Sequence, residues 1–115
     1  MQSGRCFYIY IMTNGPLAAI LYIGMTGDLR RKVWQHKNEP VGFTAGYNLT
    51  RLIYFECFVY PDAAISREKG IKGWRRSTKL ELIQSMNPRW EDLARAWQNL
   101  YKPSNPVDRE IPRSA

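Results

Sequence analysis

Residue types that commonly carry chemistry are scarce in this chain. Its 115 residues hold one histidine, two cysteines and 10 acidic residues. With no CxxC pair and a single histidine, a zinc site has no ligand set, and two cysteines are too few for a disulfide scaffold. Cys6 and Cys57 are therefore expected as reduced, buried thiols behaving as small hydrophobes. No stretch approaches the ~20 apolar residues of a membrane helix. The run Phe7–Met12 is too short and too aromatic for a signal peptide. These absences argue against a membrane protein and for a cytoplasmic one. Internal repeats are also absent, and the length suits one compact domain better than two.

What is abundant is positive charge. The chain carries 17 Lys and Arg and a formal net charge of +7. Ten of the 17 fall in two runs, Arg30, Arg31, Lys32 and Lys37, then Arg67, Lys69, Lys72, Arg75, Arg76 and Lys79. The two stretches hold only two acidic residues, Asp28 at the start of the first and Glu68 within the second. A charge run is often just a solvated helix face. Two of them flanking a strand-like segment suit a polyanion, with phosphates as the contacts.

The local patterns give an α/β order. Phe7–Met12 and Ile20–Gly24 read as strands, joined by a short connection that opens with Asn14-Gly15-Pro16, so antiparallel pairing follows. Alternation sets Tyr8, Tyr10 and Met12 on one face, and Ile20, Tyr22 and Gly24 on one face of the second strand. Tyr10 and Tyr22 can thus stand side by side. Asp28 is a plausible N-cap for a basic helix with Leu29, Val33 and Trp34 on its apolar side. Glu39–Tyr47 reads as a loop, and Arg51–Val59 as a third strand. Its predicted faces are Ile53, Phe55, Cys57 and Val59 on one side, and Leu52, Tyr54 and Phe58 on the other. Being apolar on both, it calls for helices on both sides of the sheet. Helices are expected over Ala63–Gly73 and Arg76–Met86. Asn87 and Pro88 then offer an N-cap and first residue for another, with Trp90, Leu93, Ala94 and Trp97 as its apolar stripe. Residues 99–115 read as a flexible tail and residues 1–98 as the domain.

Glu68 is the acidic residue that stands out. Ala64 and Ile71 place it in the apolar stripe of its helix, where a carboxylate is costly unless paired or bound to metal. Arg67, Lys69 and Lys72 could pair with it. Alternatively it could hold one Mg²⁺, which keeps most of its waters. A two-metal centre would require more carboxylates than this core offers. His36, one helical turn beyond Lys32, is either structural or catalytic. Tyr10 and Tyr22 are either ordinary strand aromatics or reactive groups, whose pKa nearby cations would have to lower for one to act as a base.

Tyr8-Ile9-Tyr10, Tyr22-Ile23-Gly24, a basic helix bearing His36 and a helical Glu68 together resemble the GIY-YIG nuclease superfamily. The stretches Asp28–Lys37, Arg67–Arg76 and Asn87–Leu93 are similar to its small single-domain bacterial branch. The resemblance spans roughly residues 7 to 97. It implies a small three-stranded antiparallel sheet flanked by helices, and a metal-dependent endonuclease acting on nucleic acid, DNA favoured over RNA, as a monomer. Carried over by position, Tyr10 is the base for the attacking water and Tyr22 lies near the same phosphate. Gly24 allows close backbone approach, and His36 bonds the tyrosine or the phosphate. Glu68 is the ligand for Mg²⁺ or Mn²⁺. Asn87 is set against a helper asparagine, beside its local role as a cap. Arg30, Arg31, Lys37, Lys69, Lys72, Arg75 and Arg76 are the expected nucleic-acid contacts. Two positions depart from the pattern. Tyr8 replaces the first glycine, and Lys32 stands where the catalytic arginine should fall, with Arg31 one residue before it. Lysine keeps the charge but loses the planar fork that grips two phosphate oxygens.

Overall fold

The computed structural model describes residues 6–14, 20–39 and 48–97. The elements run β1 (Phe7–Thr13), β2 (Leu21–Thr26), α1 (Leu29–Asn38), β3 (Arg51–Phe58), α2 (Pro61–Gly73) and α3 (Arg76–Met86), with one 3-10 turn at Arg95–Trp97. The strands form a single antiparallel sheet in the order β2-β1-β3. This is an α/β fold of the expected kind. Most of the expected loop Glu39–Tyr47, the turn after Asn14 and the expected tail lie outside the described residues.

Period-2 alternation along β1 divides the core between the two faces of the sheet. Ile9, Ile11 and Ile23 point to one side and pack with Ala64 and Ile71 of α2 and Ile83 of α3. Tyr10 and Met12 point to the other and pack with Leu29 and Val33 of α1, joined by Leu49, Leu52 and Ala94. Asp28 caps α1 as expected, its Oδ1 accepting from the Arg31 N–H at 3.2 Å.

The face assignment of β3 needs correction. Ile11 pairs with Tyr54 and Met12 with Leu52, so Ile53 is the extra residue of a β-bulge. The bulge resets the alternation. Ile53 joins Tyr54 and Phe58 on the α2 side, while Leu52 and Phe55 face the α1 side.

The helix expected after Asn87 does not form. Asn87 is instead the C-cap of α3, its N–H bonded to Ile83 O at 2.8 Å. Its buried side chain donates to Ile53 O at 3.1 Å and Glu91 O at 2.8 Å, and accepts from Glu91 N at 3.0 Å. Asp92 then accepts from the N–H groups of Leu52 and Ala94, and Leu93 N donates to Leu52 O at 2.7 Å. These side-chain bonds give the backbone an alternative to helical pairing. Trp90 turns with a φ of 56°. The supposed stripe is split as a result, Trp90 packing on the α2 face and Leu93, Ala94 and Trp97 on the α1 face. The segment bonds to the outer edge of β3 at its start, at Arg51, Leu52 and Ile53.

The cysteines are also not as expected. Cys6 and Cys57 are joined in a disulfide with a Cα–Cα distance of 5.7 Å, and Cys57 is exposed. They are 51 residues apart in sequence. What brings them together is the β1–β3 ladder, which sets Tyr8 opposite Cys57 and ends with Cys6 beside it.

Candidate active site

Three strands and helices converge on Tyr10. It is the middle residue of the central strand, 1% exposed, and its register partner on β2 is Gly24. A Cβ built on Gly24 would lie 2.7 Å from both Cζ and the hydroxyl oxygen of Tyr10. Glycine is thus required here by the close approach of a ring rather than by an unusual backbone angle. Tyr22, two residues earlier on β2 and half-buried, brings its ring centroid to 6.2 Å from that of Tyr10. The expected pairing of the two tyrosines is present.

From the facing helix, His36 completes the cluster. Its Nε2 lies 3.1 Å from the Tyr10 hydroxyl, and its ring centroid is 5.3 Å from that of Tyr22. Burial, and to a smaller extent the nearby Lys32 ammonium, lower the His36 pKa to about 4. The imidazole is therefore neutral near pH 7, and with Nε2 unprotonated it accepts the Tyr10 hydrogen bond. Lys32 thus reaches the cluster, whereas Arg31 on the adjoining helix face is exposed.

Tyr10 itself is not poised as a phenolate. Burial raises its pKa above the ordinary tyrosine value, and the nearness of Tyr22 and the negative charge of Glu68 push the same way. Cations of the basic helix α1 were the expected means of lowering it. In the fold one of them, Lys32, acts on His36 instead.

Glu68 lies on α2, the helix of the opposite face, yet its charge is felt at Tyr10. Its neighbours in the stripe, Ala64 and Ile71, are fully buried. Its own side chain is 20% exposed and bonded to Lys72 at 3.1 Å, the i,i+4 pair that the local sequence offered. Arg67, the other nearby candidate, is turned to Glu56, which it grips with two nitrogens while Tyr54 donates to the same carboxylate. That triad was not foreseen. Its signal, a strand carboxylate two residues from a tyrosine, is too common to single out.

Among the described residues no three His, Cys, Asp or Glu side chains cluster. A cation here would rest on one protein carboxylate. Glu68 fits that role, because it presents a hard oxygen donor and its ion-pair partner, Lys72, is an exposed lysine whose head can swing away. Asn87 stands apart from this cluster and is occupied by the backbone bonds given above.

The basic residues divide into two kinds. Lys37 is bound to Asp92 at 2.5 Å with both side chains largely covered, so it is committed to the fold. Arg30, Arg31, Lys69, Lys72, Arg75 and Arg76 are exposed.

The family model for the GIY-YIG catalytic domain matches residues 6–81 of the chain. The chain is 37% identical over 78 residues to a UPF0213 protein of Haloquadratum walsbyi, covering 67% of this chain and 85% of that one. It is 35% identical over 86 residues to a UPF0213 protein of Clostridium perfringens, covering 74% of this chain and 90% of that one. No solved structure gives a significant match. No helix among the described residues is long and apolar enough to cross a membrane. The motif tyrosines, Gly24 and the spread of the match together carry one conclusion: the chain belongs to the GIY-YIG family of nuclease domains, in the small single-domain group of bacteria and archaea.

Proposed function

We propose that the protein is a metal-dependent endonuclease that hydrolyses phosphodiester bonds of DNA by a one-metal mechanism. The observation that carries this reading is the Tyr10–His36 hydrogen bond, set against Tyr22 and within the electrostatic reach of Glu68. A buried aliphatic core would have no use for such an arrangement.

Tyr10 takes the proton of the attacking water. Because burial keeps its own hydroxyl protonated, it must release that proton to His36 Nε2 as it accepts the new one. His36 can receive it because its imidazole starts neutral. Tyr22, the more exposed tyrosine, is placed to hydrogen-bond the phosphate. Lys32, with Arg31 behind it, offsets the charge that builds on the phosphoryl oxygens. Mg²⁺ or Mn²⁺ held by Glu68 would supply further neutralisation of that charge and of the leaving oxygen. Arg30, Lys69, Lys72, Arg75 and Arg76 hold the flanking backbone.

In this reading the protein acts as a monomer in the cytoplasm. The Cys6–Cys57 bond is the one feature pointing elsewhere, because disulfides persist in oxidising compartments. A second reading, binding without cutting, rests on Lys32 in the arginine position. It calls for salt-sensitive binding and no cleavage with any divalent ion.

The test is incubation with supercoiled plasmid in Mg²⁺, Mn²⁺ or EDTA, beside Glu68→Ala. Nicking that needs the metal and disappears in the variant supports the nuclease. Equal nicking by the variant removes Glu68 from the reaction. Binding with no nicking by the wild type favours the second reading.

A further inference from the structure

One recess in the fold adjoins the reaction just described only through Arg30. It is an open pocket of about 450 Å³ next to Tyr8, at the start of α1. That size falls within the ~300–1,000 Å³ usual for small-ligand sites. Tyr8, Phe55 and Trp97 supply its aromatic surfaces. Tyr8 meets Phe55 edge-on at 6.4 Å, and Phe55 and Trp97 are tilted at 5.9 Å between centroids. All three are only half-buried, so ring surface faces the opening. The exposed Arg30 places its guanidinium 5.3 Å from the Trp97 ring centroid, and Leu29 is the buried aliphatic contribution.

Position ties this pocket to the tyrosine cluster. Tyr8 and Tyr10 share one face of β1, two residues apart, so the pocket opens about 7 Å along the strand from Tyr10. Asp28 also lines the recess, with its Oδ1 engaged by the Arg31 N–H, and the three rings with the Arg30 cation suit a flat aromatic ligand with an attached anion. A purely aliphatic guest would have no use for Arg30, and a bare anion none for the rings.

We propose that this pocket seats one unstacked nucleobase of the substrate strand, with Arg30 on the adjoining phosphate. The base lies against Trp97 and Phe55, beside the phosphate addressed by Tyr10. The nucleotide next to the cut must therefore leave the base stack to be bound. The inference rests on the nuclease reading for where the cut falls. The pocket can nevertheless be tested without cleavage.

Full-length protein in EDTA is titrated with a short single-stranded oligonucleotide and with the same sugar-phosphate backbone lacking bases. The wild type is expected to bind the base-bearing strand about tenfold more tightly, the scale of one base–aromatic stack. That ratio should fall towards one in Trp97→Leu and in Tyr8→Leu, each confirmed folded by circular dichroism. Should either variant fail to fold, the 2-aminopurine signal of a labelled strand replaces it: quenching on binding to the wild type is expected. Equal affinity of the wild type for the two strands overturns the pocket, as does a ratio that folded Trp97→Leu and Tyr8→Leu leave intact, or an unquenched label. Base-dependent binding without metal-dependent cleavage would sink the nuclease and leave the pocket. Cleavage with base-independent binding would do the reverse.

Discussion

The two faces of the sheet are built from alternate residues of the same strands, yet they are chemically opposite. On the α2 side, Ile9, Ile11 and Ile23 meet Ala64, Ile71 and Ile83, with no polar group among the six. On the α1 side, Tyr10 and Tyr22 meet His36 over the space that Gly24 leaves open. One step along β1 thus changes an aliphatic anchor into a hydroxyl bonded to an imidazole. A strand pinned by Ile9 and Ile11 holds Tyr10 between them to within the tolerance of close packing. The aliphatic packing on the α2 side is what holds the tyrosine side rigid.

Substitutions on either face sharpen this contrast. The largest effect on stability is expected at Ile11. Ile11→Ala should cost about 2–5 kcal/mol in denaturant unfolding, because the side chain is fully buried among rigid neighbours. Cleavage by the fraction that stays folded should persist.

The next effect belongs to the tyrosine face and depends on pH. The folded His36 pKa, about 4, lies below the ordinary 6.5, so the unfolded chain binds the proton more readily. Its favourable contribution is complete above about pH 6.5 and is lost as the pH falls towards 4, roughly 3 kcal/mol over the whole window. His36→Gln should lack that slope. Unfolding curves for both proteins at pH 7 and pH 4.5 measure the difference, and parallel losses would contradict the assignment.

Gly24→Ala is the smallest change. The added methyl meets the Tyr10 ring and hydroxyl at 2.7 Å, so the ring must move. The overpacking should cost about 1–3 kcal/mol, and cleavage should fall further than stability does. A variant as active as the wild type would mean that the position of Tyr10 is not critical.

Much of this was legible in the sequence because it depends on short periods. The three strands, α1 to α3, the neighbouring tyrosines and the approach of Lys32 to His36 all follow from alternation or helical spacing. What escaped depends on long-range bonds or on one extra residue. Nothing in Arg51–Phe58 marks Ile53 as bulged, and the bulge is visible only against β1. The spacing of Trp90, Leu93, Ala94 and Trp97 is truly helical, but Asn87 and Asp92 side chains outbid the helix with bonds to β3. The same Asp92 takes Lys37 out of the basic surface, and the β1–β3 ladder joins two cysteines that sequence distance separated. Tyr10's raised pKa was hidden for the same reason, since depth of burial is a property of the whole core.

The most direct test of the central claim is Tyr10→Phe, assayed for single-turnover cleavage and for thermal unfolding side by side. The substitution removes one hydroxyl and keeps the ring that fills the core. The account predicts a folded protein within about 1.5 kcal/mol of the wild type, whose cleavage falls by ~10²–10⁴. Undiminished cleavage by a folded Tyr10→Phe would contradict it, and would return the tyrosine cluster to the status of core.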